Sequence, residues 1–155
     1  IERIEMHHTP RKNVDAALEE LIKLDRVPSI SIYTRALDDR HLEQLLLSVQ
    51  VDKLYAANAT LDRGRMPYLN QRGLTWLCLA HTQFSDPAIQ DLPPSLEYFN
   101  ATRTRISDQG LPGFVRLKQL KSLNLRRTPT SSEAIESLRA QMPWCEIEWE
   151  RLVHF

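Results

Sequence analysis

Apolar and polar residues along this chain follow one phrase, apolar-x-x-apolar-x-apolar-x-x-Thr. It is clearest at Leu120, Leu123, Leu125 and Thr128. The phrase recurs at Leu74, Leu77, Leu79 and Thr82, and at Leu96, Phe99, Ala101 and Thr104. Looser copies start at Ile1 (Ile4, Met6, Thr9), at Val27 (Ile30, Ile32, with Arg35 in the threonine place) and at Met142 (Cys145, Ile147). The copy at Val51 (Leu54, Ala56) has Ala59 in the threonine place. Successive starts lie 22–26 residues apart. Apolar residues that alternate with polar ones predict a short strand with one apolar face.

The second half of each unit predicts a helix. Asn13 precedes Val14, Ala17, Leu18 and Leu21; Ser85 precedes Ile89 and Leu92; Ser107 precedes Leu111, Phe114 and Leu117. Leu42, Leu45 and Leu46 give the second unit the same apolar spacing. Thr130 followed by Glu133 fits a capping box that leads into Ile135 and Leu138. Leu61 to Gly73 has no helical face, and Gly64, Pro67 and Gly73 predict an irregular connector there.

This pattern resembles the leucine-rich repeat family, whose repeats run about 20–29 residues, each a short strand followed by a helix or turn. It is most similar to the bacterial and ribonuclease-inhibitor-like kinds. The resemblance covers essentially the whole chain: the units at Leu74, Leu96 and Leu120 match closely, and the unit at Val51 departs most. Strand–helix units of equal length must wind the same way, so the strands are expected to be parallel. No unit can bury its own face, so the core exists only between neighbours. The expected fold is α/β, a short curved leucine-rich repeat solenoid with strands on the concave face and helices on the convex face. Residues 1–155 are expected to form a single domain of about six repeats closed by a capping strand at 142–149.

Composition narrows the function. Lys plus Arg and Asp plus Glu both number 20, so the formal net charge is zero and nothing draws the chain as a whole to nucleic acid or to a membrane. No apolar run approaches the roughly 20 residues of a membrane span. Cys78 is expected on the outward face of its strand and Cys145 on the inward face of another, three strands away, or about 14 Å at ~4.8 Å per strand. A disulfide needs Cα atoms within about 7 Å, so both are expected to be free thiols, as a reducing compartment favours.

Catalytic patterns are absent from the sequence. The four glycines form no phosphate-cradling loop. No G-x-S-x-G elbow occurs. His7, His8, His41, His81 and His154 make no zinc-type spacing with acidic neighbours and are read as solvated. His7 and His8 are adjacent on a strand and face opposite ways. Asp38-Asp39 lies at a helix start, where acids offset the helix dipole. The expectation is a protein that is not an enzyme, with no cofactor and no metal.

Aromatic residues at outward strand positions point to a binding face. Tyr33, Tyr55, Trp76 and Tyr98 fall on four neighbouring strands as a diagonal stripe, with Trp144 at the edge. Solvent-facing Trp and Tyr are enriched at binding hot spots, although cross-strand rings also stabilise a sheet by packing on each other. From Arg103 to Arg127 there are seven basic residues and one acid, Asp108; Glu133 to Glu150 holds five glutamates and one arginine. Lys121 and Arg126 are expected at outward places. The segregated charges form either a solvated face with cross-strand ion pairs worth little or a basic strip beside the aromatic stripe that recognises an acidic or phosphorylated segment.

What the resemblance implies is a non-catalytic protein-binding scaffold. Its unidentified protein or peptide partner would meet Tyr33, Tyr55, Trp76 and Tyr98 as anchors, with Lys121 and Arg126 orienting it. The alternative is a nucleic-acid-binding module using the basic strip 103–127 and the aromatics, against which zero net charge argues. The glutamates and the tail Arg151–Phe155 are expected to cap the C-terminal edge. The first strand has an open edge, where a partner, an upstream segment or more protein is expected to sit.

Overall fold

The computed structural model describes residues 2–151. Ile1 and the tail Leu152–Phe155, including His154 and most of the expected tail cap, lie outside the described residues. One sheet of seven strands runs through the molecule, with the strands in chain order. They are β1 Arg3–His7, β2 Arg26–Tyr33, β3 Gln50–Tyr55, β4 Trp76–Cys78, β5 Tyr98–Asn100, β6 Ser122–Asn124 and β7 Glu146–Glu148. Every neighbouring pair is parallel.

The repeat phase read from the sequence is the phase of the structure in the first six units; in the seventh, Ile147 and not Cys145 stands opposite Leu123, two residues later than expected, and Cys145 lies in the turn before β7. Ile30, Leu54, Leu77, Phe99, Leu123 and Ile147 form one register row on the core side, and all are buried. Their alternating neighbours face the other way. Core residues of neighbouring units pack together, as Phe84 and Phe99 do edge to face, and one continuous core runs through the array.

Helices are long only near the two ends. They are α1 Arg11–Leu21, α2 Asp39–Ser48, α3 Asp86–Ile89 and α4 Ser132–Gln141. The middle units carry one-turn α3 and 3₁₀ turns at Pro67–Leu69 and Leu111–Phe114. The expected helices after Ser85 and Ser107 are therefore much shorter than their apolar spacing suggests. Pro93-Pro94 follows the first, and Pro112-Gly113 interrupts the second; proline lacks the N–H that would continue a helix. Arg116 donates to the carbonyls of Ile89 and Leu92 at 2.8 and 2.9 Å and so satisfies the end of α3. An α-helix is about 10 Å across while strands repeat every ~4.8 Å, so the sheet lies on the inside of the curve.

Several helix starts differ from expectation. Helix α1 begins before Asn13, after Pro10. Ser85 precedes α3, but its hydroxyl donates to Arg63 O at 2.6 Å instead of capping. The cap of α4 is Ser131, not Thr130; Ser131 Oγ accepts from Ala134 N–H at 3.2 Å. Thr130 is engaged elsewhere, because its hydroxyl accepts the Trp149 indole N–H at 2.9 Å. Asp38 does cap α2, in a reciprocal box in which His41 Nδ1 accepts from Asp38 N–H. His41 is thus not solvated as expected: it is buried, and its Nε2 lies 2.8 Å from Asp15 Oδ1.

The threonine place has a structural task. Thr82, Thr104 and Thr128 are buried and donate to the carbonyls of Leu79, Ala101 and Leu125, three residues back, at 2.6–2.8 Å. Each satisfies a carbonyl that leaves the ladder as the chain turns out of the sheet. The residue before each of these threonines adopts a left-handed conformation: His81 (φ 58), Arg103 (φ 54) and Arg127 (φ 56), with Asn58 (φ 66) and His8 (φ 48) at the same place in earlier units.

Candidate functional site

Tertiary register sorts the outward residues into rows across the concave face. The first row is Arg3, Ser29, Lys53, Trp76, Tyr98, Ser122 and Glu146. The second, two residues further along each strand, is Glu5, Ser31, Tyr55, Cys78, Asn100, Asn124 and Glu148. Trp76 and Tyr98 are therefore register partners, and their rings stack with centroids 4.2 Å apart and planes 19° from parallel. Tyr55, one row on, tilts against Trp76 at 6.4 Å. Lys53 Nζ stands 5.1 Å over the Trp76 ring.

Tyr33 stands apart from this group. It belongs to a third row and stacks on its partner His7, centroids 5.1 Å apart. The four aromatics thus form a triplet and a separate His7–Tyr33 pair rather than one evenly spaced stripe. Trp144 is no part of either. It lies in the turn before β7, with Lys118 Nζ 4.2 Å over its ring.

The rings shield what lies between them. Ser31 and Cys78, the register partners of Tyr55 on either side, are both buried although they stand on the outward face. Burial pushes the Cys78 thiol above its ordinary value, and also raises the phenols of Tyr33 and Tyr98. Both cysteines are free; Cys145 is half-buried in the turn before β7, where burial first and Glu146 second push its thiol up to about 11. Beside Tyr55 a cleft of about 560 Å³ opens, lined by Arg3, Ser29, Asp52 and Lys53 among others.

The basic strip is not one surface. Lys121 precedes β6 and pairs with Glu97. Arg126 pairs with Glu148 at 3.0 Å. Arg116 caps α3, and Lys118 covers Trp144. Lys121 and Arg126 are both exposed, at opposite ends of the β6 unit, and neither touches the aromatic triplet through any described ion pair or ring contact. The cations that remain, Arg103, Arg105 and Arg127, gather with His81 around a separate cleft on the rim where the strands end. The sequence reading counted these arginines within the strip 103–127 but did not separate them from its other members or join them to His81, because it tracked the apolar and threonine places and not the residue between them. The recurring His or Arg immediately before Thr was the available signal.

Among the described residues no group of three or more His, Cys, Asp and Glu is placed to hold a metal ion, and no described helix is long and apolar enough to cross a membrane.

No protein-family model matches the chain, and no curated protein sequence matches it. Solved structures do. An internalin from Listeria monocytogenes superposes with a TM-score of 0.67 at 17% identity, covering 98% of this chain and 44% of the internalin. A leucine-rich repeat protein of Leptospira interrogans superposes with a TM-score of 0.59 at 17% identity, covering 96% of this chain and 37% of that protein. The chain therefore has the leucine-rich repeat fold and spans less than half the length of either of these neighbours.

Proposed function

We propose, from the leucine-rich repeat fold, that the chain is a non-catalytic scaffold that binds a protein or peptide on the concave face of its sheet. The observation that carries this reading is the contiguous triplet Tyr55, Trp76 and Tyr98. Three large rings stand half-buried on a face that no described helix covers, where their apolar surface gains by being covered. The neighbouring cleft beside Tyr55 offers room for a partner side chain, with Lys53 and Arg3 at hand for its polar end. Tyr33 extends the surface towards β1. Lys121 and Arg126 lie further along the sheet; their pairing with Glu97 and Glu148 gives them a part in orientation and not in affinity. The segment at 142–149 closes the repeat array in this reading, and the outer edge of β1, the first strand of the described sheet, is a second place where protein could attach.

The test is a pull-down from native lysate with wild type beside a Tyr55→Ala/Trp76→Ala variant, read by mass spectrometry. A protein retained by wild type and lost with the variant supports the concave face and identifies the partner. Identical eluates sink the reading and leave the rings as sheet-stabilising residues.

A further inference from the structure

The rim cleft beyond the strand ends gathers basic side chains from three successive units. His81, Arg103 and Arg127 occupy the same place in three successive units, each with left-handed backbone. Their N–H groups donate to Thr102 O, Arg126 O and Glu150 O of the next strand at 2.8, 3.0 and 3.1 Å, which locks the backbone in place. A left-handed conformation favours glycine, and asparagine tolerates it, as Asn58 does in the third unit; arginine gains nothing from it.

The locked backbone projects the side chains in one line along the rim, one strand spacing of ~4.8 Å apart. They line a cleft of about 380 Å³ together with Arg105 and Gln83. Arg105 is steadied by the preceding unit: its guanidinium donates to Gln83 Oε1 at 3.2 Å, and its N–H donates to Phe84 O at 2.8 Å. No carboxylate lines the cleft among the described residues. The nearest described acid is Glu150, 3.9 Å from Arg127 Nε, with both side chains about half exposed (45% and 54%). Arg103 has no described ion-pair partner. The neighbouring Arg126, by contrast, is neutralised by Glu148 at 3.0 Å. Cations gathered in a concavity focus a positive potential there. Partial burial, and after it the charges of Arg103 and Arg127, hold the His81 imidazole below its ordinary value, so at neutral pH it serves as an uncharged hydrogen-bonding group at the end of the row.

We infer that this rim is a binding site for a tetrahedral oxyanion ester, a phosphate or sulfate monoester, held by Arg103, Arg105 and Arg127. Three guanidinium groups line one cleft. A tetrahedral ester presents three terminal oxygens spread in space and carries more acceptor sites for three guanidinium groups than the two coplanar oxygens of a carboxylate. The site is separate from the aromatic triplet and does not depend on it.

The test titrates the full chain with phenyl phosphate, phenyl sulfate and acetate at constant ionic strength, following the arginine Nε–H signals by NMR. Saturable shifts of Arg103, Arg105 and Arg127 with one or both esters, at least tenfold tighter than with acetate, are expected. Tighter binding of phenyl phosphate assigns a phosphorylated ligand; tighter binding of phenyl sulfate assigns a sulfated one. An Arg103→Asn/Arg127→Asn variant keeps a residue type suited to the left-handed backbone. It is expected to melt no lower than wild type and to bind the esters at least tenfold more weakly. Shifts that do not saturate, that acetate reproduces, or that persist in the folded variant overturn the assignment.

Discussion

The ring of Trp76 lies flat against that of Tyr98, centroids 4.2 Å apart, because the two are register partners on β4 and β5. Such a pair is worth about 0.5–1.5 kcal/mol beyond the area it buries. A double-mutant cycle on Trp76→Ala and Tyr98→Ala, followed by urea unfolding, is expected to return a coupling of that size with both single variants folded. A coupling near zero would leave the two rings as independent surface groups.

Leu123 sits fully buried between Phe99 and Ile147 in the core row. Leu123→Ala is expected to cost about 2–5 kcal/mol, because the two flanking units cannot close over the void. Chemical denaturation measures this directly, and a change within error would place the side chain outside the core.

Left-handed backbone makes a paired prediction. Arg103 has φ 54 and Gly73 has φ 87. Arg103→Gly removes the steric cost of a side chain at positive φ and is expected to raise stability by about 1 kcal/mol. Gly73→Ala imposes that cost, and its Cβ would lie 3.2 Å from Gln50 Nε2, so it is expected to lower stability by about 1–2 kcal/mol. Thermal melts of the two variants should move in opposite directions.

Asp91 is buried, takes Arg65 Nε at 2.8 Å and accepts Met66 N–H at 2.8 Å. The Arg65 hydrogen bond, with smaller help from Met66 N–H, holds its carboxyl below the usual aspartate value. The unfolded chain therefore binds this proton more readily than the folded one. The stabilisation is present above the unfolded value of about 3.9 and is lost as pH falls through the folded value. Asp91→Asn is expected to lower stability at pH 7 and to flatten its fall below pH ~4. Parallel acid titrations of the two proteins, followed by circular dichroism, check both parts.

Local sequence was sufficient for the strands. Leu74, Leu77 and Leu79 show their alternation within six residues, and burial on one face of a strand is a local property, so the phase of six strands could be read directly; the seventh lies two residues later, with Ile147 in the place expected for Cys145. It was less informative for the connecting halves. Apolar spacing after Ser85 and Ser107 has a helical period, yet Pro93-Pro94 and Pro112-Gly113 restrict those segments to single turns. Thr130 and Ser131 both carry capping hydroxyls; the choice fell to Ser131 because Trp149, 19 residues on, takes Thr130, and because Asp108 of the preceding unit accepts from Ser131 N–H at 2.7 Å.

What the sequence determined by itself was the repeat, and with it the parallel sheet and the side of each strand that faces the core, since these follow from spacing within each unit. Tertiary structure alone decided which outward residues meet. Trp76 joins Tyr98 while Tyr33 turns to His7, and Lys121 and Arg126 are neutralised while Arg103, Arg105 and Arg127 converge on the rim. The physical reason is distance along the chain. Ring stacking and ion pairing act between groups a few ångströms apart in space but one repeat, 22–26 residues, apart in sequence, so they depend on an inter-strand register that no single unit encodes.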